Sequence, residues 1–427
     1  MSPAEMNARC SRCFLLTFLI SLNICLILLG QATAEKKLKF VVLVFRHGDR
    51  SPVGTYPNDK YKEDFWPDGF GQLTQLGMEQ HYEFGKYLRK RYSGFLNQTY
   101  SSNEVYVRST DMDRTLMSAQ ANLAGLFPPI GKQVWNANFT WQPIPVHTVP
   151  LSEDNILFMP VRNCLLYNQL QNETFTSTEY QALLKPYKDF ITTIQNYTGY
   201  PPEQSNDHFS AWLIYDTLLC EKIHNYSLPE WATDDVMDKL LHLSEISLSA
   251  FYGIYKHREK SRLQGGVLLN TILQNITNAA KTPSGKLKLI MYSAHDTTVA
   301  GLQMALNVSN GKLPPYTACQ FFELYQDDES NYSIEMYYRN DSSADPYLNI
   351  LPGCSSSCPL AQFTELTSSI IVQDWDKECG AKVENKSEGA VIGLSVAVFI
   401  LSVVIIGLLI IFYYFRKRLG ISSYQTV

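Results

Sequence analysis

The run Lys39-Phe40-Val41-Val42-Leu43-Val44-Phe45 is almost unbroken in its apolar, β-branched and aromatic character, and it stops at Arg46-His47-Gly48-Asp49-Arg50. A strand with no polar face must be covered on both sides. That selects the interior of a sheet with helices above and below it. The charged segment then falls at the strand's carboxyl end, where open α/β sheets place their ligands.

The flanking chain supplies the rest of such a sheet. Met78, Tyr82, Gly85, Leu88 and Tyr92 recur at helical spacing behind Thr74, a good capping residue. Glu104–Val107 reads as a short strand and Thr110 to about Leu126 as a helix. Leu287–Tyr292 is a second apolar strand, followed by a helix from about Thr297 to Leu306. Strands alternating with helices predict an α/β core over 35–150 and 281–379, with a mixed, mainly parallel sheet flanked by helices. From about 151 to 280 the period is mainly helical, most clearly at Asp234–Tyr255 and Leu263–Asn278. This stretch reads as a smaller inserted helical domain. Cys319–Tyr325 and Tyr332–Tyr338 flank a polar turn and predict an antiparallel hairpin; Asp374–Glu388 reads as a polar stalk.

The two ends speak to compartment. Arg9 and Arg12, the apolar Phe14–Leu29 and the small-residue site Ala32-Thr33-Ala34 predict a signal peptide over 1–34. Gly389–Phe415 carries no charge and is long enough to span a bilayer. Arg416, Lys417 and Arg418 follow at once, so 416–427 is expected in the cytoplasm and 35–385 outside it, the arrangement of a single-pass type I membrane protein. Glycosylation sequons at Asn97, Asn138, Asn172, Asn196, Asn225, Asn275, Asn307, Asn331, Asn340 and Asn385 all lie between the two apolar segments. After removal of the leader, Cys164, Cys220, Cys319, Cys354, Cys358 and Cys379 remain, an even set suited to disulfides in an oxidising compartment. Proximity favours Cys354–Cys358; the other pairings stay open. The whole chain carries a net charge of −5, which argues against a nucleic-acid partner. Any anion site must therefore be a local concentration of arginine.

Arg46-His47-Gly48-Asp49-Arg50 is such a concentration. Guanidinium groups grip phosphate oxygens bidentately and keep their charge, and a neutral histidine between them is a competent nucleophile. Arg114, one helical turn after Thr110, can point back to a strand end. His295-Asp296 follows the second apolar strand. Each of the last two pieces is weak alone; three strand ends bearing Arg, His and Asp together are not.

On these motifs the chain resembles the histidine acid phosphatases, the family with R-H-G-x-R-x-P early and H-D late. The likeness runs from about Leu38 to Cys379, through Gly69-Phe-Gly-Gln-Leu-Thr-Gln-Leu-Gly77, Trp141-Gln-Pro-Ile-Pro-Val-His147 and Tyr292-Ser-Ala-His-Asp-Thr-Thr298. The resemblance implies a phosphoglycerate-mutase-like fold. It implies that His47 is the nucleophile, that Arg46, Arg50, Arg114 and His295 bind phosphate, and that Asp296 is the proton donor. It also implies the disulfides Cys164–Cys379, Cys220–Cys319 and Cys354–Cys358, and homodimer contacts near Trp141–His147. Small phosphomonoesters would be the substrates, among them nucleoside monophosphates, lysophosphatidic acid and phosphotyrosine. No cofactor or metal is called for, because the arginines supply the positive charge. In the tail, Tyr424 and Val427 form a Y-x-x-Φ pattern that resembles a clathrin-adaptor sorting signal, so cell surface and endosome or lysosome are the expected locations. A rival reading is a catalytically silent membrane receptor with a phosphatase-like ectodomain.

Overall fold

The structure, a computed structural model, describes residues 36–158, 164–201, 208–380 and 386–418. The expected signal peptide, Asn385, Tyr424 and Val427 lie outside the described residues. The chain divides into two compact units after Cys379.

In chain order the first unit opens with β1 (Lys37–Arg46), α1 (Gln75–Arg91), β2 (Val105–Ser109) and α2 (Asp113–Leu126). A helical run follows: α3 (Leu165–Thr176), α4 (Thr178–Leu184), α5 (Lys188–Thr198), α6 (His208–Ile223), α7 (Asp234–Tyr252), α8 (His257–Leu263) and α9 (Gly265–Lys281). The chain then returns through β3 (Leu289–Ala294), α10 (Asp296–Ala305), β4 (Cys319–Gln326), β5 (Tyr332–Arg339), β6 (Tyr347–Asn349), β7 (Cys358–Pro359), α11 (Leu360–Thr367) and α12 (Trp375–Cys379).

The strands form one mixed sheet of order β2-β3-β1-β4-β5-β6, with β7 beside β5. β2, β3 and β1 run parallel, and the β4–β5 hairpin joins antiparallel to β1. The apolar run that begins the chain's core now has its explanation. Val41, Leu43 and Phe45 point into one layer, beneath Phe84 and Leu88 of α1 and Leu123 and Leu126 of α2. Phe40, Val42 and Val44 point into the other, against Leu268, Leu269, Ile272 and Ile276 of α9 and Val299 and Leu302 of α10. Both faces of β1 are dry, so Phe45→Ala should cost ~3–5 kcal/mol.

Two expectations shift. The stretch Leu263–Asn278, read as part of the insertion, is instead a covering helix of the sheet, because α9 carries the apolar face that buries Val42 and Val44. The stretch read as a stalk begins with a packed element: Trp375 and Cys379 are buried, and Cys379 is bonded to Cys164. Cys354–Cys358 is also bonded. The expected Cys220–Cys319 bridge is not formed, and both remain buried thiols. Their side chains turn to different surroundings. Cys319 packs in the apolar layer with Phe84 and Leu123. The Cys220 sulfur lies 3.8 Å from Arg50 Nη1 and 3.6 Å from the Tyr316 hydroxyl. Burial first, then the nearby Asp216, pushes the Cys220 thiol up to about 12, so it stays protonated.

Of the sequon asparagines described, Asn97, Asn138, Asn172, Asn196, Asn225, Asn307, Asn331 and Asn340 are exposed. Asn275 is the exception to the surface expectation. It is half-buried on α9, and its Nδ2 donates to Thr271 O and to the Tyr292 hydroxyl.

The second unit contains α13 (Lys386–Arg418). Its stretch Leu394–Arg418 has 25 residues and a mean hydropathy of 3.2. At ~1.5 Å per residue it is long enough for the ~30 Å hydrocarbon layer of a bilayer. It fits a transmembrane span.

Candidate active site

The parallel strands β1, β2 and β3 end together, and the loops leaving them deliver the charged residues to one place. The β1 loop is held down by α1. Thr74 caps that helix, accepting from Gly77 N–H, while its own N–H donates to Asp49 O. Helix and loop touch through glycines: a Cβ on Gly48 would sit 2.4 Å from Gly77 O, and one on Gly77 would sit 2.1 Å from Asp49 O. Neither position tolerates a side chain without moving the backbone that carries His47.

His47 is buried, and its Nδ1 lies 2.8 Å from Gly48 O. Burial first, then Arg46, Arg114, Arg50 and His295, holds its pKa well below the ordinary value. The ring is therefore neutral. A carbonyl can only accept, so the proton is on Nδ1 and the lone pair is on Nε2.

The three arginines differ in what holds them. Arg46 donates from Nη2 to Asp296 Oδ2 at 2.8 Å and from Nη1 to Pro314 O at 2.6 Å, with its guanidinium 4.4 Å from the centre of the Tyr316 ring. Arg50 makes a fork with Asp216, both N–O distances being 2.9 Å. Burial alone would lower its pKa, but Asp216 outweighs that and holds it well above the ordinary value. Arg114 has no ion pair with a carboxylate among the described residues; its longer contacts are to Gly71 O at 3.4 Å and Met112 Sδ at 3.6 Å. Burial, followed by repulsion from Arg50, lowers Arg114 to about 10. An under-compensated, half-buried cation of this kind favours an anion beside it.

His295 directly follows β3 and lies edge-on to His47, ring centres 5.7 Å apart. Its Nε2 is 3.0 Å from Thr110 Oγ1. Burial, then Arg114, Arg46 and Arg50, lowers its pKa well below the usual value. Asp296 opens α10, and its Oδ1 accepts from Thr297 N–H at 2.7 Å.

His47, Arg50, Arg114, His295 and Asp296 line one cavity of about 210 Å³, and Arg46 reaches it through Asp296. Phe158, Trp212, Leu213 and Phe251 add an apolar wall. All six residues singled out in the sequence thus meet around one space. Others were not foreseen: Asp216, Thr110, Tyr316 and His224. Asp216 had a signal, being a lone acid in the apolar run Ala211-Trp-Leu-Ile-Tyr-Asp-Thr-Leu-Leu-Cys220. A carboxylate there needs a buried cation.

Residues 37–339 match the family model described as "Histidine phosphatase superfamily (branch 2)". The chain belongs to this superfamily. This histidine phosphatase is 58% identical over 352 residues to prostatic acid phosphatase of Homo sapiens, covering 82% of this chain and 90% of that one. It is 49% identical over 417 residues to lysosomal acid phosphatase of Homo sapiens, covering 98% of this chain and 96% of the relative. Its fold is shared with a Hafnia alvei phytase solved in complex with tartrate: TM-score 0.62 at 19% identity, over 82% of this chain and 99% of the other. By this kinship the histidine phosphatase is an enzyme, an acid phosphatase.

Proposed function

We propose that this acid phosphatase hydrolyses phosphate monoesters of broad structure through a phosphohistidine on His47. The observation that carries the reading is a buried His47, its Nδ1 turned to Gly48 O and its pKa held low by burial, amid three arginines, one of them without a carboxylate partner among the described residues. The phosphoryl oxygens are held by Arg46, Arg50, Arg114 and His295, which stabilise the charge spread over them in transfer. His47 Nε2 attacks phosphorus in line as the bond to the leaving oxygen breaks. Asp296 supplies the proton to that oxygen.

The resting ion pair between Arg46 and Asp296 suits this role. An arriving phosphate competes with Asp296 for Arg46 and frees that carboxyl to face the leaving oxygen. In the second half a water molecule gives its proton to the Asp296 carboxylate and attacks phosphorus. The N–P bond breaks, and inorganic phosphate and neutral His47 are regenerated.

The apolar wall of Phe158, Trp212, Leu213 and Phe251 offers contact area without a fixed polar code. That supports acceptance of aryl, nucleoside and lipid leaving groups: phosphotyrosine, nucleoside monophosphates and lysophosphatidic acid. The receptor alternative is separated by turnover. Purified ectodomain should hydrolyse p-nitrophenyl phosphate, and a substrate panel at pH 5 and pH 7.4 ranks the esters. Binding of phosphate without hydrolysis would favour the receptor.

The remaining expectations join this reading. Exposed asparagines bear glycans, α13 anchors the chain with the catalytic unit lumenal or extracellular, and Tyr424 and Val427 engage a clathrin adaptor. Trp135 and Phe139 stack on the surface beside the exposed Trp141, an apolar patch suited to a second copy of the chain. Tyr424→Ala should raise the surface population in an antibody-uptake assay; unchanged uptake would remove the signal.

A further inference from the structure

Asp49 sits between Gly48 and Arg50 in the loop that carries His47, and it is fully buried. Its Oδ2 accepts from Thr74 Oγ1 at 2.5 Å and from His224 Nε2 at 2.7 Å, while Oδ1 has no hydrogen-bond partner among the described residues. Its backbone is taken on the α1 side: N–H donates to Gln80 Oε1 at 2.8 Å, and O accepts from Thr74 N–H. His224 is the contact from the opposite side, and it comes from the inserted helices.

His224 is itself well fixed. It extends the last turn of α6, its N–H donating to Cys220 O. The turn ends at Asn225, which has a positive φ of 59°. Tyr226 then stacks on Tyr61 at 4.7 Å, meets Trp66 edge-on at 5.0 Å and donates its hydroxyl to Phe65 O at 2.8 Å. Trp66 also meets the His224 ring edge-on at 5.4 Å. An imidazole held this way has little freedom to follow a moving loop. Two turns earlier on the same helix, Asp216 forks onto Arg50 and its Oδ2 lies 3.5 Å from Val53 N. Adjacent loop residues are thus each met from α6 and its C-terminal extension, Arg50 by the Asp216 carboxylate and Asp49 by the His224 imidazole.

We propose that His224 is a positioning residue. Through Asp49, and together with Asp216 on Arg50, it forms a two-point clamp by which α6 fixes the attack position of the His47 loop. The inference rests on the reading of His47 as nucleophile. His224 reaches no substrate; it acts through Asp49. Without it, a buried carboxylate keeps one hydroxyl partner and is driven to turn outward. Its backbone leads directly to Gly48 and His47, and a shift of about 1 Å at a reacting atom can cost ~10²-fold in rate.

The test uses the full-length enzyme, with turnover of p-nitrophenyl phosphate and inhibition by inorganic phosphate. His224→Ala should lower kcat by ~10- to 100-fold per folded molecule, with a smaller change in KM and in phosphate inhibition. His224→Gln, which keeps an N–H donor of similar reach, should recover most of that loss. If the alanine variant does not fold, His224→Asn, whose donor is too short, takes its place. The loss in the double variant with Asp49→Asn should fall well short of the product of the two single losses. Lys222→Ala, at an exposed site on the same helix, should be silent. A lowered Tm with unchanged kcat, or multiplicative losses in the double variant, would overturn the clamp. A wild-type enzyme that turns over without a phosphohistidine would instead sink the mechanism, while the kcat comparison still decides the clamp.

Discussion

At the carboxyl ends of β1, β2 and β3 the reactive groups arrive on short loops welded to the sheet, whereas α6 and its last turn deliver the Asp216 carboxylate, the His224 imidazole and two residues of the apolar wall, Trp212 and Leu213. The first region holds His47 and Arg114 through backbone contacts and close glycines, and His295 through the Thr110 hydroxyl. The second holds Arg50 and Asp49 through Asp216 and His224. A group fixed by its own backbone can be left electrically unbalanced, as Arg114 is. A group fixed by an ion pair is stabilised by the same contact that orients it. Loss of the first kind should therefore harm activity alone, and loss of the second should harm activity and stability together.

The largest expected effect lies in the first region. His47→Ala should cut kcat by at least ~10⁴-fold, as loss of a nucleophile does, with an unchanged Tm. Retained turnover beyond a trace would move the nucleophile elsewhere.

Arg114→Ala against Asp216→Asn sharpens the contrast. Arg114→Ala should lower kcat/KM by ~10²–10³-fold at no loss of Tm, and should abolish the rise in Tm that inorganic phosphate gives the wild type. Asp216→Asn strips a buried guanidinium of its charge partner and should cost ~3–5 kcal/mol of stability along with activity. Equal Tm losses in the two variants would erase the distinction.

Much of the first region was legible, because Arg46-His47-Gly48-Asp49-Arg50 is contiguous and directly follows a strand that has to be buried. The second was not. Asp216 is 166 residues from Arg50, and a lone acid in an apolar helix announces a buried partner without saying which one. The same limit explains the helix boundaries. The period of Leu263–Asn278 shows a helix, but only contact with Val42 and Val44 shows that it covers the sheet. The pairing of Cys220 with Cys319 came from resemblance, and the structure turns the two thiols to different surroundings.

Asp296→Asn should slow alkyl phosphates ~10²-fold more than p-nitrophenyl phosphate, because a basic leaving oxygen needs the proton most. Equal losses on both esters would take Asp296 out of the donor role.

A smaller effect concerns pH and again falls on α6. Glu221 is buried, and its carboxyl is raised to about 8, first by burial and then by Asp59. The folded chain thus holds this proton where an unfolded chain has lost it. That stabilisation is complete below the ordinary carboxyl range and disappears as pH climbs through about 8. Tm should fall over that interval in the wild type and fall less in Glu221→Gln. Parallel Tm–pH curves would assign the acid preference of the fold to other groups.

The most direct measurement is the phosphoenzyme itself. Wild-type enzyme mixed with ³²P-labelled substrate, quenched in alkali and digested should yield one labelled peptide, acid-labile and mapping to His47, with none from His47→Ala. Label on another residue, or full turnover with no trapped phosphoenzyme at any quench time, would contradict nucleophilic catalysis by the β1 loop.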